Sequence, residues 1–372
     1  MLDILGTVVR FRAISFSQIS TGESSPAPPN LASRMKILID HGMPFQLVHG
    51  GYQTQIEETK RGLEQIGMDV QWMRWWDDTQ RADLIHAFSP VSQALLIHSR
   101  EKNIPVVLTT LLTLECNFSE TRIRAKRWRD GLLARSPGVR GLFKTLPQQA
   151  LHLCTQNVVS LEAERRAMQR IYGIRRDRIS IVPYGLSDTF LNAEAGSRGG
   201  DYLITQGTIT ERKNSVVLAE LAHRAQVPIL FVGKPYNVSD PYWKRFEALI
   251  DQKWVRHQDH VSNPVQMVEL LRSARGFVLM SDMENWCLSA HEAAACGLPV
   301  LVPRMNWSME RFGDQARYFQ DLRSRANLAI LRRFYEDSVS LPIPQVRQWS
   351  WREVAQQLTR VYEEVLSTPP QN

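Results

Sequence analysis

The pattern that most restricts the fold of this chain is a repeated alternation of short apolar runs with helical segments. The first series begins at residues 36–40, directly after residue 34, and a second series begins near Tyr202. Short apolar runs separated by helices of about 10–15 residues are typical of βαβ units and a parallel sheet. The pattern therefore predicts an α/β protein with two Rossmann-like domains whose parallel sheets face each other across a cleft.

The predicted domains are divided by two stretches that lack this alternation. Residues 1–34 have neither helical nor strand periodicity and show no basic start followed by an apolar segment, so we predict a flexible tail and not a secretory signal. The glycine-rich stretch 196–200 predicts a linker. The first domain is then 35–195 and the second is 196–349.

Composition excludes several classes of protein. The four cysteines are far apart in sequence and form no CxxC pair, which argues against a disulfide scaffold or a thiolate zinc site and fits a reducing cytosol. No apolar run is long enough to span a bilayer. These observations predict a cytoplasmic protein.

The positive charge of the chain is concentrated in one segment. The formal net charge is +7, and residues 121–146 carry eight Lys and Arg against one Asp, which equals the whole surplus. Because the rest of the chain is balanced, we expect no nucleic-acid partner. Tryptophan, leucine and phenylalanine alternate with the cations, which indicates two short basic amphipathic helices split at Pro137. Such helices contact an anionic bilayer, or they pack their apolar side on the domain; both alternatives stay open.

Two short motifs at predicted strand ends suit an anionic ligand. Open parallel sheets bind ligands beyond the carboxyl ends of their strands. Gly50 and Gly51 open the first helix, where glycine lets the backbone approach a phosphate. Gly207 begins the turn after the first strand of the second series, and the adjacent cations Arg212 and Lys213 suit a diphosphate. Loop glycines and a solvated helix start are the structural alternatives.

The most specific motif lies after residue 280. Glu284 is predicted in a strand-to-helix loop, and Glu292 about one and a half turns inside the helix that follows. Carboxylates accept hydrogen bonds from vicinal hydroxyl groups. The backbone N–H groups of Cys287, Leu288 and Ser289 lie at the predicted helix N-terminus, which suits a phosphate.

With these motifs the chain resembles the retaining, nucleotide-sugar-dependent glycosyltransferases of the GT-B fold, specifically family 4. Glu284 and Glu292 match the E-x7-E motif of that family, and residues 292–300 match its usual continuation. The likeness extends over most of residues 36–368 and includes residues 182–185. It implies that an amphipathic C-terminal helix at 350–368 crosses back and completes the first, acceptor-side domain.

The resemblance also implies roles for the residues of the motifs. Lys213 would hold the donor diphosphate near Gly50 and Gly51, Glu284 would contact the transferred sugar, and Glu292 would bind ribose hydroxyls. No metal and no other cofactor are expected, because cations and helix dipoles replace the ion. The catalytic residues are then Glu284, Lys213 and Arg212. The donor-binding residues are Gly50, Gly51, Gly207, Cys287, Leu288, Ser289 and Glu292.

Two positions depart from the family pattern. Thr208 stands where an arginine is common, and Arg212 is expected to supply the missing cation. Leu111 stands where a histidine is common, for which His86 or His49 would compensate.

Three hypotheses for the function follow. The leading one is a transferase that moves a sugar from a nucleotide-diphosphate donor to a glycan or lipid-linked acceptor with retention of configuration. It would be cytoplasmic, with a peripheral position on the inner face of the membrane if residues 121–146 bind lipid. The alternative is an inactive GT-B scaffold that binds a nucleotide sugar or a partner at the membrane. The third is another GT-B enzyme, such as an epimerase or a phosphorylase.

Overall fold

The computed structural model describes residues 35–46, 50–135, 148–196 and 198–367. The predicted tail 1–34 lies outside these residues, and so does the second half of the basic segment, from residue 136 to 147. The described chain contains two parallel sheets of six strands each. The predicted α/β architecture is confirmed, whereas the domain boundaries stay a prediction.

The first sheet has the strand order β2-β1-β3-β4-β5-β6. Its strands are β1 (Lys36–His41), β2 (Asp69–Trp72), β3 (Leu84–Phe88), β4 (Val106–Thr109), β5 (Gln156–Val159) and β6 (Ile179–Ile181). Its helices are α1 (Gly51–Gln65), α2 (Gln93–Glu101), α3 (Glu120–Arg135), α4 (Gln148–Leu153), α5 (Glu162–Tyr172) and α6 (Asp188–Leu191). All five residues of β3 are buried, as expected for a strand with both faces covered.

The second sheet has the order β12-β11-β10-β7-β8-β9. Its strands are β7 (Leu203–Gln206), β8 (Ile229–Val232), β9 (Val255–Gln258), β10 (Gly276–Val278), β11 (Val300–Pro303) and β12 (Arg317–Phe319). Its helices are α7 (Ser215–Ala225), α8 (Pro241–Glu247), α9 (Pro264–Ser273), α10 (Leu288–Ala295), α11 (Asn306–Phe312) and α12 (Asn327–Asp337).

The half of the protein built on β1 to β6 is called the first sheet half below. The C-terminal helix α13 (Trp351–Ser367) packs on it, beside α1. A Cβ atom on Gly62 of α1 would lie 2.6 Å from the carbonyl oxygen of Trp351, so the close approach of the two helices requires glycine there. The Tyr362 hydroxyl lies 2.6 Å from Nδ1 of His86 in β3. The helix therefore covers part of the first sheet. The resemblance implies this return of the C-terminal helix to the first domain.

The second strand is shorter than its sequence predicts. Residues 70–75 predict a strand that runs to Trp75, but β2 ends at Trp72, and the chain then turns. The turn is closed by Arg74 and Asp77, whose Nε and Oδ2 atoms are 2.9 Å apart. Because β2 is an edge strand with one neighbour, few ladder hydrogen bonds oppose this local turn. Trp75 consequently lies in a loop at the carboxyl edge of the sheet.

Candidate functional site

Gly207, Arg212 and Lys213 come together beyond the carboxyl end of β7. Gly207 follows the strand with a φ of +146°, and a Cβ atom there would lie 3.5 Å from Cε of Lys213. Arg212 and Lys213 belong to a short 3-10 turn, Glu211–Lys213. Gly233, which follows β8, approaches so closely that a Cβ there would lie 2.0 Å from the Gly207 carbonyl oxygen. The Gly207 turn, with Lys213 beside it, thus packs against the end of β8.

Glu284 joins these two cations from the loop after β10. Its Oε1 atom lies 3.0 Å from Nη1 of Arg212 and also accepts a hydrogen bond from Nζ of Lys213. The Glu284 residue is only 8% exposed. Burial raises the pKa of this carboxyl, but the charges of Lys213 and Arg212 outweigh burial and leave the pKa below its ordinary value. The result is a carboxylate held between two cations at the ends of two strands.

The glycine pair of the first sheet half faces this group. A Cβ on Gly50 would lie 3.9 Å from Oγ1 of Thr208, and one on Gly51 would lie 3.8 Å from Cδ1 of Leu288. Gly50 has a φ of +142°, a conformation that favours glycine. The start of α1 therefore meets the Gly207 turn and the start of α10 across a cleft, where the sequence motifs predicted a donor.

Helix α10 begins at Leu288, directly after a strained residue. Cys287 has a φ of +63°, which is a left-handed conformation that side chains rarely adopt. Burial raises the pKa of the Cys287 thiol to about 11, so it stays neutral at pH 7. The first N–H groups of any helix have no partner within the helix, so those of Leu288 and Ser289, near Gly51, make no hydrogen bond inside α10.

Glu292 lies one helical turn deeper, next to a residue that sequence reasoning missed. Its Oε2 atom is buried without a hydrogen-bond partner, and the same holds for Oε1 of Gln206, the last residue of β7. Burial raises the pKa of Glu292 to about 7, against a smaller lowering by the Gln206 side chain. A buried acceptor without a donor is costly, so the two oxygens suit the hydroxyl groups of a ligand. The position of Gln206 at a strand end was its sequence signal.

Replacing Glu292 by glutamine should remove a pH dependence of stability. The folded carboxyl titrates near pH 7 and an unfolded one near 4.5, so the folded state holds the proton more tightly. The free energy of unfolding of the wild type therefore falls as pH rises from about 4.5 to 7 and stays low above that. We expect Glu292→Gln to be more stable than the wild type by about 1 to 3 kcal/mol at pH 8 and nearly equal at pH 5.

Thermal unfolding of both proteins at the two pH values measures this difference. Glu269→Gln, on an exposed face of α9, is the control for a change of charge alone. An equal difference between Glu292→Gln and wild type at pH 5 and pH 8 would contradict the prediction.

Two asparagines fix the Glu284 loop to the first sheet half. Nδ2 of Asn117 donates to the Glu284 carbonyl oxygen at 2.8 Å. Nδ2 of Asn285 donates to the Tyr184 hydroxyl at 3.0 Å and lies 3.2 Å from Oε1 of the buried Glu164. Sequence reasoning found none of these partners, because they are more than 100 residues apart along the chain. They hold the carboxylate-bearing loop in place from the first sheet half.

The suggestion that His86 compensates for Leu111 is wrong. His86 is fully buried, with its ring nitrogens 2.6 Å from the Tyr362 hydroxyl and 2.7 Å from Oγ1 of Thr109. Burial lowers its pKa to about 3, so the ring is neutral and packs in the core under α13. The other candidate, His49, lies outside the described residues.

The described part of the basic segment is one helix, α3, with an exposed apolar pair. Ile123 packs inward, while Trp128 and Leu132 are 72% and 52% exposed and lie one turn apart among arginines. Lys126 contacts the body of the protein through the Tyr172 ring, 5.6 Å from its centre. Of the two alternatives for the basic segment, packing of the apolar side on the domain therefore holds for Ile123 but not for Trp128 or Leu132.

The described residues contain neither a metal cluster nor a helix that could span a membrane. No three His, Cys, Asp or Glu side chains in them lie close enough to hold a metal ion, and the expected independence of metals and cofactors stays a prediction. No helix in the same residues is long and apolar enough to cross a bilayer.

Comparison with known proteins gives matches in sequence and in fold. Residues 190–320 match the family model described as glycosyl transferases group 1. The O-antigen chain mannosyltransferase B of Escherichia coli is 26% identical over 174 residues, which cover 44% of this chain and 45% of that protein. The chain therefore matches less than half the length of this curated relative.

Solved structures share the fold over nearly the whole chain. Anabaena HepE in complex with UDP-glucose has a TM-score of 0.62 at 17% identity, covering 89% of this chain and 100% of that one. Sucrose-phosphate synthase from Thermosynechococcus elongatus has a TM-score of 0.59 at 15% identity, covering 90% and 100%. The predicted GT-B resemblance is confirmed, and the narrower assignment to retaining family 4 stays a prediction. Residues 190–320 thus carry the group 1 glycosyl transferase match, and the chain has the GT-B glycosyltransferase fold.

Proposed function

We propose that this protein is a glycosyltransferase that moves a sugar from a nucleotide-diphosphate donor to a glycan or lipid-linked acceptor with retention of configuration. The observation that carries the proposal is the contact of Glu284 with Arg212 and Lys213. Two cations and one carboxylate at neighbouring strand ends match a substrate with a diphosphate on one side and sugar hydroxyls on the other.

The chemistry follows from where the charges lie. Lys213 and Arg212 neutralise the charge that develops on the leaving diphosphate, together with the N–H groups at the start of α10. Glu284 then turns from the cations to the hydroxyls of the transferred sugar. Glu292 and Gln206, whose buried oxygens have no partner, accept the ribose hydroxyls.

Retention needs oriented partners and no protein nucleophile. In a front-side displacement, the bond between the anomeric carbon and the phosphate oxygen breaks while the acceptor oxygen bonds to the same face of that carbon. The acceptor proton passes to the departing phosphate oxygen. The Asn117 and Asn285 contacts favour this mechanism, because they hold the Glu284 loop against the acceptor side while the reacting groups meet.

The names of the similar proteins support the choice of substrates. One solved neighbour is described in complex with UDP-glucose, and the curated relative is named as a mannosyltransferase of the O-antigen chain. We therefore propose a nucleotide sugar as donor and a saccharide-bearing acceptor for this chain.

A panel of nucleotide sugars with uridine, guanosine and adenosine bases tests the proposal. The true donor should raise the midpoint of thermal unfolding, since a ligand that binds the native state stabilises it, and it should release a nucleoside diphosphate when acceptor is added. If no member of the panel shifts the midpoint or releases nucleotide, the proposed function fails.

The second candidate, an inactive scaffold, rests on Thr208 and Leu111 in place of the groups common in the family. It predicts protection by a nucleotide sugar with no nucleotide release under any condition. Release from any donor rejects it.

We also propose that α3 contacts an anionic membrane, in line with a peripheral position on its inner face. Trp128 and Leu132 should insert among headgroups while the arginines around them neutralise lipid charge. In flotation with vesicles of phosphatidylcholine and phosphatidylserine, the wild type should float at low salt and not at high salt. The double variant Trp128→Ser, Leu132→Ser should bind at least about tenfold more weakly. A wild type that stays at the bottom at low salt contradicts this prediction, and pure phosphatidylcholine is the control.

A further inference from the structure

The loop between β2 and β3 exposes two neighbouring tryptophans. We call residues 73–83 the tryptophan loop; in it Trp75 is 57% exposed and Trp76 is 83% exposed. Burial of a large apolar side chain stabilises a fold, and here two adjacent indoles forgo most of that gain. Single exposed apolar residues are ordinary, but two adjoining indoles form a patch, which is typical of a binding surface.

The tryptophan loop is held in one conformation by its own polar groups. Nε1 of Trp75 donates to Oδ1 of Asp40 at 3.2 Å, which fixes this indole to the end of β1. The Gln80 side chain accepts from the Arg74 backbone N–H at 2.7 Å and donates to the Trp72 carbonyl at 3.0 Å. The loop backbone and the Trp75 indole are therefore held in place before any ligand binds, which lowers the entropy cost of binding.

The loop lies at the edge of the sheet where the proposed reaction takes place. Asp40 is next to the last residue of β1, and the segment that follows β1 leads to Gly50 and Gly51. The carboxyl ends of parallel strands share one edge, so Trp75 and the glycine pair lie at the same edge of the first sheet. This is the sheet half assigned to the acceptor.

The charge of the loop decides what kind of partner it fits. Residues 73–83 contain two arginines and three aspartates, so they lack the basic excess that an anionic membrane requires and that α3 carries. The exposed polar residues of the loop are of both kinds, hydrogen-bond donors and acceptors: Arg74, Asp78, Thr79, Arg81 and Asp83. Exposed indoles with donors and acceptors in the same loop match a sugar ring, which has C–H groups on its faces and hydroxyls at its rim that both donate and accept.

We propose that Trp76, supported by Trp75, stacks against a sugar ring of a saccharide acceptor at the mouth of the cleft. The identity of the saccharide as an acceptor rests on the proposed function, whereas the binding of a sugar ring to Trp76 does not. Trp76 is the primary contact because it is the more exposed indole, and Trp75 is anchored to Asp40.

Fluorine NMR of the full chain labelled with fluorotryptophan tests the stacking. The probes are maltotriose, mannotriose and chitotriose, each added to about 10 mM, which saturates a millimolar site. The resonance that disappears in Trp76→Phe is assigned to Trp76, and the one that disappears in Trp75→Phe is assigned to Trp75; we expect both to shift with at least one probe. Followed on the Trp75 resonance, Trp76→Ala should weaken that binding at least tenfold and Trp76→Tyr should retain most of it, and Trp128→Ala, which removes another exposed indole, should leave it unchanged.

The outcomes separate this proposal from the proposed function. If no probe shifts the Trp76 resonance, or Trp76→Ala binds as tightly as the wild type, the saccharide platform is wrong. If Trp76→Ala instead reduces flotation with anionic vesicles and no probe shifts the resonance, the loop is a membrane contact. A shifted resonance without nucleotide release from any donor keeps the platform and rejects the transferase. Sugar transfer whose acceptor KM is unchanged in Trp76→Ala keeps the transferase and rejects the platform.

Discussion

Replacing Glu284 by glutamine is expected to lower turnover at least about a hundredfold while tightening the binding of free nucleoside diphosphate about three- to tenfold. In this structure the Glu284 carboxylate pairs with both Arg212 and Lys213. A neutral amide of the same shape leaves both cations free to pair with the diphosphate. The sugar, however, loses the carboxylate that accepts its hydroxyls, so transfer fails while the product binds better.

Lys213→Ala should lower both the turnover and the affinity for the nucleoside diphosphate. Lys213→Ala removes a cation that is largely buried, so turnover should fall about a hundredfold or more and diphosphate binding should weaken about tenfold. Arg212→Ala should act more mildly, because its side chain is 41% exposed and its charge is screened by water.

Initial rates with the donor found in the panel and calorimetric titration with the nucleoside diphosphate measure these effects. Lys244→Ala is the matched control, since Lys244 is exposed on α8 and pairs with Glu247 at 2.8 Å. Diphosphate binding that weakens in Glu284→Gln would show that the carboxylate does not compete for the cations. Unchanged turnover in Glu284→Gln would remove Glu284 from the catalytic residues.

Much of the fold could be predicted from the sequence because buried parallel strands consist of consecutive apolar residues. The apolar run at 36–40 predicted β1, which ends only one residue later and has four consecutive buried residues. The edge strand β9 has one buried position in four and β12 has one in three, so their sequences resemble those of loops. The central strand β5 was missed because it opens on Gln156 and Asn157. These polar side chains are satisfied by partners elsewhere, among them the Ser180 hydroxyl and the Leu151 carbonyl.

The site was predictable where topology makes distant residues meet. Lys213 and Glu284 each follow a strand of one parallel sheet, and neighbouring strands place their carboxyl ends together. The asparagine contacts were not predictable, because Asn117 and Glu284 belong to different sheet halves and no sequence pattern indicates that they are close in space. His86 was misjudged for the same reason: Tyr362, which lies 276 residues away, covers it and turns a strand-end histidine into a core residue.

Gly233 shows how a residue without any functional group can determine the site. It has a φ of +149°, and a Cβ atom would lie 2.0 Å from the carbonyl oxygen of Gly207. That overlap involves backbone on both sides, so no side chain can move to relieve it. The Lys213 side chain lies beside Gly207, where a Cβ atom would be 3.5 Å from its Cε, so we expect an alanine at position 233 to displace the lysine as well as strain its own backbone.

Gly233→Ala is expected to destabilise the protein by about 3 to 5 kcal/mol, lower the midpoint of thermal unfolding by several degrees and abolish protection by the donor. Gly173→Ala is the matched control, because Gly173 also has a positive φ, of +71°, but its Cβ would meet no atom within 4 Å. The control should lose only about 1 kcal/mol, the cost of a left-handed alanine, and keep donor protection. An equal loss of unfolding free energy in the two variants would mean that the close approach to Gly207 does not contribute to the destabilisation. A Gly233→Ala protein that still binds the donor would separate the Gly207 turn from the diphosphate site.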